Sequence, residues 1–448
     1  MLNETHDPSL KSWVESANDP ATDFPIQNLP LGAFVMEHDG HRHAHLAVAI
    51  GDQVLDITSL AEAGYFQNDP DEEVRAIGRL PAWNAAMSVP GFIEKMRRRL
   101  QSFLRADGSG GQSARRLRSK VLRPIAETPL IRPAMNFNYT DFYASIHHAT
   151  NVGTMFRPDN ALLPNYKWVP IGYHGRASSI IPSGVEIRRP SGQTKADDAA
   201  APVFGPCKML DYELEVGVLV GASNRMGEPV SMGRADHHIA GLCLVNDWSA
   251  RDMQKWEYQP LGPFLAKNFA TTVSPWIVTR EALAPFRCAA YKRPDGDPQP
   301  LEYLRDENNE QWGGFDITLE VHLISKSMRE QNLPPLRVSR GSFRDMYWTF
   351  AQMIVHHTSN GCNLQPGDLL ASGTVSGTSP DSRGCLLERT WEGTGKPRKP
   401  IELPTGEKRT FLEDGDEVVM TDWCEGGAGG HRRIGFGECR GTIASANA

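Results

Sequence analysis

The sequence predicts a mostly β protein of the α+β class, on three observations. Short runs alternate apolar and polar residues, the period of a strand with one covered face. Glycine and proline are plentiful, at 41 and 32 residues, and fall between those runs where turns are needed. Helical spacing is confined to a few segments. A chain of 448 residues has room for two or three domains, or one large and one small.

Composition narrows the class of function. A hydrophobic content of 40% and a charged content of 23% describe an ordinary soluble globular protein. The net charge of −7 gives no nucleic-acid footprint, and no basic run suits an anionic membrane. The start, Met1-Leu2-Asn3-Glu4-Thr5-His6, lacks the basic and apolar regions of a signal peptide. No apolar run approaches the roughly 18 residues of a membrane span. Seven cysteines form no C-x-x-C pair, which argues for reduced thiols in a cytoplasmic protein and against a thiolate zinc site.

Taken in order, residues 1–30 read as an extended polar lead-in. Ala33-Phe34-Val35-Met36 and Leu46-Ala47-Val48-Ala49-Ile50 read as strands joined at His38-Asp39-Gly40, a hairpin signal. His41, His43 and His45 alternate along the second strand; they fit either an exposed sheet edge or a metal site. Phe92, Met96, Leu100 and Leu104 recur every four residues, predicting a helix over 91–106 with a basic outer face. Residues 106–111 read as a flexible loop and 123–133 as a linker. The expected division is 1–130 and 131–448.

The second part carries the chemistry. Residues 140–150 have helical spacing, with Asp141 and His148 seven apart on one face. The glycines of Gly172-Tyr173-His174-Gly175 suit close approach of backbone to a ligand. In Asp211-Tyr212-Glu213-Leu214-Glu215-Val216-Gly217-Val218-Leu219-Val220, alternate residues are apolar, so Glu213 and Glu215 share the opposite face. Solvation explains two such acids as well as a metal does. A covered face would demand a cation, an arginine or a proton. Another apolar run ends at Asn246-Asp247, followed by a short helix bearing Arg251 and Gln254. Lys267, in an apolar setting, reads as a lysine snorkelling at a core rim. Phe315, Ile317, Leu319, Val321 and Leu323 alternate, placing Glu320 and His322 toward solvent. Ser342-Phe343-Arg344-Asp345 reads as a capping box opening a helix through about residue 357, closed at Gly361. A turn, a strand and a Gly-rich loop follow over 366–378, then Glu388 on a short apolar run. Strands near 417–423 and 432–443 close the chain. If Asp141, Glu213, Glu215 and Asp247 converge, four hard oxygen donors favour Ca²⁺ or Mg²⁺ over zinc or copper.

Several segments resemble the fumarylacetoacetate hydrolase family. They are Thr140-Asp141-Phe142-Tyr143, His148-Ala149-Thr150-Asn151-Val152-Gly153, Gly172-Tyr173-His174-Gly175-Arg176, Asp211-Tyr212-Glu213-Leu214-Glu215, Asn246-Asp247-Trp248-Ser249-Ala250-Arg251-Asp252, Trp256-Glu257-Tyr258-Gln259-Pro260 and Ser372-Gly373-Thr374. The resemblance is dense from about residue 130 to 443 and weaker before it. It implies a small N-terminal SH3-like β-barrel over 1–130, a large mixed β-sandwich roll over 131–448, and a homodimer. The implied activity is hydrolysis of 4-fumarylacetoacetate, a small β-diketo diacid, to fumarate and acetoacetate in tyrosine breakdown.

By the same resemblance Asp141, Glu213, Glu215 and Asp247 would hold Ca²⁺ or Mg²⁺, with Lys267 and Thr271 beside it. His148 would be the general base and Glu388 the carboxylate that orients it. Arg251, Gln254 and Lys267 would surround the reacting carbonyl. Tyr143, Arg157, Tyr173, Gln254, Tyr258 and Thr374 would contact substrate. Two other readings stand beside this one: acylpyruvate hydrolysis or oxo-diacid decarboxylation within the superfamily, and a non-catalytic Ca²⁺-binding protein. His148 with Glu388, the extra N-terminal domain and the chain length argue against the first, and His148, Lys267 and Arg251 together argue against the second.

Overall fold

The computed structural model describes residues 2–107, 111–426 and 430–447. It is a mixed α/β protein in which three sheets set the architecture. The first is antiparallel and five-stranded, in the order Leu122–Pro124, Gln53–Asp56, His41–Ile50, Leu31–His38 and Leu130–Ile131. Asp39 and Gly40 turn its long hairpin with φ of 49° and 74°, the double positive φ that an Asp-Gly pair supplies. His41 and His43 are exposed beyond the residues that pair with the third strand, whereas His45 turns to Asp56 at 3.0 Å. They form no metal-ligating group among the described residues.

The N-terminal reading needs four corrections. The linker expected at 123–133 instead contributes two strands to this sheet, one at each edge. Residues 1–30 are not a bare lead-in, because Trp13, Val14, Ile26 and Leu29 are buried in the same core. The helix Phe92–Leu104 buries the four apolar residues that predicted it. Its basic face is not wholly outward: Arg97 is buried and donates to the carbonyls of Asn28 and Gln27 and to the Thr5 hydroxyl, which fastens the lead-in. A further helix, Gly111–Val121, has too few apolar residues to announce itself. The loop expected at 106–111 lies partly outside the described residues.

The second sheet has eight strands and carries the chemistry. Its path runs Gly172–His174, Tyr139–Phe142, Leu369–Ala371, Leu214–Val220, Ile239–Asp247, Thr271–Val273 and Ile180–Pro182, and Val278–Thr279 also pairs with Ile239–Asp247. Every residue of Leu214–Val220 and Ile239–Asp247 is buried. Leu214, Val216, Val218, Leu242 and Leu244 face one core, shared with the third sheet. Leu219, Cys243, Val245, Val273 and Tyr139 face the other, which the N-terminal residues cover. Side chains alternate along a strand, so Glu215, Asp247, Asp141 and Thr271 share the face of Leu219, Val245, Tyr139 and Val273. The acids therefore stand at the end of a sheet face that the N-terminal sheet and helices keep dry.

The third sheet orders Leu336–Ser342, Thr318–Ile324, Glu417–Cys424, Ile434–Ala444 and Ile187–Arg188. Here Glu320 does not point freely into solvent. It is 9% exposed beneath Arg337, at 3.0 Å, and Arg340, at 3.5 Å. The helix expected from Ser342 is split: Phe343–Asp345 is one 3₁₀ turn, and Phe350–Thr358 starts afresh from a capping box of Thr349 and Gln352. Gly361 ends the segment at φ 87°, a conformation that favours glycine.

Candidate active site

Asp141 lies on a strand, not on the helix that residues 140–150 suggested. Tyr139–Phe142 pairs with Leu369–Ala371 and Gly172–His174. The helix begins only at Ile146, where the Ser145 side chain accepts the backbone N–H of His148 as an N-cap. Asp141 and His148 therefore reach one region from different elements. Gly172 and Gly175 are needed against protein atoms: a Cβ on Gly175 would stand 2.1 Å from the Tyr139 ring, and one on Gly172 would stand 3.1 Å from the Asp141 carbonyl.

The oxygens of Asp141, Glu213, Glu215 and Asp247 gather within 4.8 Å of one another, all buried. Lys267 bridges two of them, donating to Glu213 and, at 2.8 Å, to Asp247. The snorkelling reading of Lys267 is thereby overturned: it is 7% exposed and neutralises buried charge. Arg251 reaches Glu213 at 2.8 Å and Asp211 at 3.0 Å. Thr271 and Tyr173 donate hydroxyls to Asp247 at 3.1 and 2.9 Å. Among the described residues, Asp141 Oδ1 and both oxygens of Glu215 have no partner.

Buried carboxylates without donors are costly unless a cation completes them. Burial, then the neighbouring acids, pushes the Asp141 and Glu215 carboxyls well above their ordinary range, and burial also raises Asp247. Burial acts on Glu213 too, but Lys267, Arg251 and His148 outweigh it and hold that carboxyl well down. Two cations thus face four acids, and the free oxygens belong to the two acids furthest from compensation. An all-oxygen, dry donor set of this charge fits a hard divalent ion. A cleft of about 490 Å³, lined by Tyr139, Tyr173, His174, Asp247, Phe264 and Lys267, opens onto it.

Beside the acids stands the second half of the site. His148 Nδ1 lies 2.6 Å from Glu388 Oε2, and Nε2 lies 4.0 Å from Glu213. Glu388 sits on the short helix Leu386–Arg389, so Nδ1 is the nitrogen held by its carboxylate and Nε2 is the one that faces the acids. Asn151, Ser376 and Cys385 also contact Glu388. None of these three was singled out by sequence, nor was Asp211, whose carboxylate accepts the N–H groups of Leu386 and Leu387 and the Arg251 Nε.

Of the other expected residues, Tyr143 packs edge-on to His148 with ring centroids 5.2 Å apart. Gln254 accepts from Arg251 Nη1 at 3.2 Å. Arg251 Nη2, Arg157 Nε and Thr374 Oγ1 are buried without partners among the described residues. Tyr258 stands further out, its ring 6.1 Å from that of Phe156 at the end of the His148 helix.

A hard-ion donor set beside a carboxylate-held imidazole is the equipment of a metal-assisted hydrolase. The chain belongs to the fumarylacetoacetate hydrolase family. A family profile described as fumarylacetoacetate hydrolase C-terminal matches residues 138–444, and one described as fumarylacetoacetase N-terminal matches 27–133. The chain is 46% identical over 434 residues to the fumarylacetoacetase of Bos taurus, covering 96% of this chain and 98% of that one. Against the Homo sapiens fumarylacetoacetase it is 46% identical over 435 residues, with coverages of 96% and 98%. The Arabidopsis thaliana fumarylacetoacetase gives 46% over 446 residues, with 97% and 98%.

Proposed function

We propose that this chain hydrolyses the C–C bond of 4-fumarylacetoacetate to fumarate and acetoacetate, the last step of tyrosine and phenylalanine breakdown. The observation that carries the reading is the juxtaposition of the His148–Glu388 pair with the four-carboxylate cluster, 4.0 Å apart at Glu213.

In this reading Asp141, Glu213, Glu215 and Asp247 hold Ca²⁺ or Mg²⁺, with Lys267 and Thr271 beside it. When bound, that ion supplies Lewis-acid stabilisation for the negative charge that C–C cleavage leaves on the acetoacetate half. Glu388 keeps the Nδ1 proton in place, so His148 Nε2 takes a proton from water as it attacks the carbonyl. Lys267 and the unpartnered Arg251 Nη2, with Gln254 orienting Arg251, face the oxyanion that attack creates. The protonated His148 then holds the proton that the departing carbon takes up. Arg157 and Thr374 offer unpartnered polar atoms to the substrate, and Tyr143, Tyr173, Gln254 and Tyr258 complete its contacts and exclude water.

The same reading takes residues 1–130 as an SH3-like barrel domain and 131–448 as the catalytic β-roll, in a cytoplasmic homodimer. Among the described residues no helix is long and apolar enough to cross a membrane. The test follows the enol absorbance of fumarylacetoacetate with and without chelator. Loss of absorbance that chelator abolishes and divalent ion restores is expected. No turnover by ion-loaded protein would overturn the reading, and faster turnover of fumarylpyruvate would assign an acylpyruvate hydrolase instead.

A further inference from the structure

Glu388 is fully buried, and its two oxygens receive four contacts from three separate segments. Oε2 receives His148 Nδ1 at 2.6 Å, Ser376 Oγ at 2.8 Å and Cys385 Sγ at 3.3 Å. Oε1 receives Asn151 Nδ2 at 2.7 Å. The direction of each bond follows from its surroundings. Asn151 sits on the His148 helix and offers its amide nitrogen, which can only donate. The Ser376 hydroxyl accepts the Gly384 N–H at 2.9 Å, so its own proton is free to turn to Glu388.

Cys385 occupies the N-cap position of Leu386–Arg389, where a side chain ordinarily turns inward to accept the first N–H groups. Asp211 does that work from outside the segment, accepting from Leu386 at 2.8 Å and Leu387 at 2.9 Å. The thiol is thereby released to point at the carboxylate one turn on. Burial, reinforced by Glu388 and Asp211, pushes the Cys385 thiol well above its ordinary range, so it keeps its proton and donates. Burial acting alone would push the Glu388 carboxyl up, yet with His148, Asn151 and Ser376 around it the group is held down at about 2.

We propose that Asn151, Ser376 and Cys385 are positioning residues of the hydrolytic base: a three-donor cage that holds both oxygens of the Glu388 carboxylate in place, so that it orients His148 without taking its proton. The inference rests on the assignment of His148 and Glu388 as base and orienting group. With Oε1 held by Asn151 and Oε2 held by Ser376 and Cys385, the carboxylate has little freedom to rotate, and the imidazole it meets at Oε2 keeps Nε2 toward the acids. Losing any one donor leaves Glu388 a second place to settle and lets the ring drift.

Double-mutant cycles provide the test. Asn151→Leu, Ser376→Ala and Cys385→Ala are each made in the wild-type and Glu388→Gln chains, and kcat and KM for fumarylacetoacetate are measured with saturating divalent ion. Each single variant is expected to lower kcat about three- to tenfold with KM within about twofold, and to have no further effect in the Glu388→Gln background. Cys385→Ser, which keeps a donor, is expected to restore kcat. Equal losses in both backgrounds, or losses confined to KM, overturn the cage. Infrared spectroscopy separates this inference from the one beneath it. The S–H stretch of Cys385, isolated as wild type minus Cys385→Ala, is expected at lower frequency than a free thiol and to relax in Glu388→Gln. An unshifted band overturns the cage whatever the base, whereas a shifted band with undiminished kcat in Glu388→Gln overturns the base assignment alone.

Discussion

Replacing Glu215 with glutamine is expected to act in opposite directions on the metal-free and metal-loaded protein. Lys267 and Arg251 compensate Glu213, and Lys267 also compensates Asp247. Glu215 and Asp141 are left facing each other, and three of their four oxygens have no partner. Two unit charges within 4.8 Å of each other repel by at least about 3.5 kcal/mol at an effective dielectric near 20. A bound proton relieves part of that in the metal-free state, so removing the charge should return roughly 1–3 kcal/mol. In a chain of 448 residues, with an unfolding entropy of roughly 0.9 kcal/mol/K, that is a rise in Tm of about 1–3 °C in chelator. With calcium or magnesium present the same substitution deletes a charged ligand, so affinity should fall at least about 100-fold and the ligand-induced rise in Tm should vanish. Thermal denaturation with chelator and across an ion titration, with calorimetry for affinity, reads both effects. If glutamine destabilises the metal-free protein as much as the loaded one, Glu215 is a structural acceptor and the argument from its unpartnered oxygens fails.

The same carboxyls fix a pH dependence. Asp141, Glu215 and Asp247 are raised in the folded metal-free state, so that state binds more protons than the unfolded chain. Stability of metal-free protein should therefore fall as pH rises above the ordinary carboxylate range, by 1.36 kcal/mol for each pH unit and group until the raised value is passed. Glu213 works in the opposite sense, its contribution being lost only as pH falls below the ordinary range. Saturating divalent ion should abolish the decline, and an equal decline with ion bound would remove the cluster as its source.

Three further outcomes are expected. His148→Ala should bind divalent ion with wild-type affinity by calorimetry and lose at least about 100-fold in kcat, and retained turnover would refute its role as base. Asp422 is 1% exposed with both carboxylate oxygens unpartnered, and burial, then Asp23, raises it well above the usual range. Asp422→Asn should therefore raise Tm near neutral pH by a few degrees and leave it unchanged near pH 4; a loss at both pH values would show the carboxylate to be needed. Gly373 holds φ 73°, and a Cβ there would stand 2.1 Å from the Phe142 carbonyl. Gly373→Ala should cost about 2 kcal/mol or more in urea unfolding and displace Thr374, lowering kcat/KM.

What was legible in the sequence was what strand periodicity and local turn chemistry record. Alternation placed Glu213 and Glu215 on one face, and Asp-Gly placed the hairpin. The covering of that face was not legible, because it depends on the N-terminal residues, whose core reaches Leu219, Val245 and Val273 through contacts far apart in sequence. Asp141 was misplaced for a different reason: residues 140–150 hold a helical period, but the Ser145 cap stops the helix four residues short of it. The pairing of His148 with Glu388 spans 240 residues and has no local signature. Family resemblance supplied that pair, and Glu320 shows how periodicity misleads when long arginines fold back over an outward-facing acid.

Asp211 explains why these separately encoded pieces act together. Its carboxylate holds the start of the segment that carries Glu388, and it also holds Arg251, which reaches Glu213. A continuous buried path therefore runs from the imidazole through Glu388, its helical turn, Asp211 and Arg251 to Glu213 and Lys267 among the clustered acids. Burial penalises every charge on that path, and each is tolerated only because the next neutralises or hydrogen-bonds it. The carboxyls respond unequally: Glu213, between Lys267 and Arg251, and Glu388, against His148, are held down, whereas burial still raises Asp211 and Asp247 beside their cations and, with the neighbouring acids, drives Asp141 and Glu215 well up. The two carboxyls of the cluster driven furthest up are thus the ones with oxygens that have no partner among the described residues, and the His148 imidazole is held beside them by the same chain of contacts.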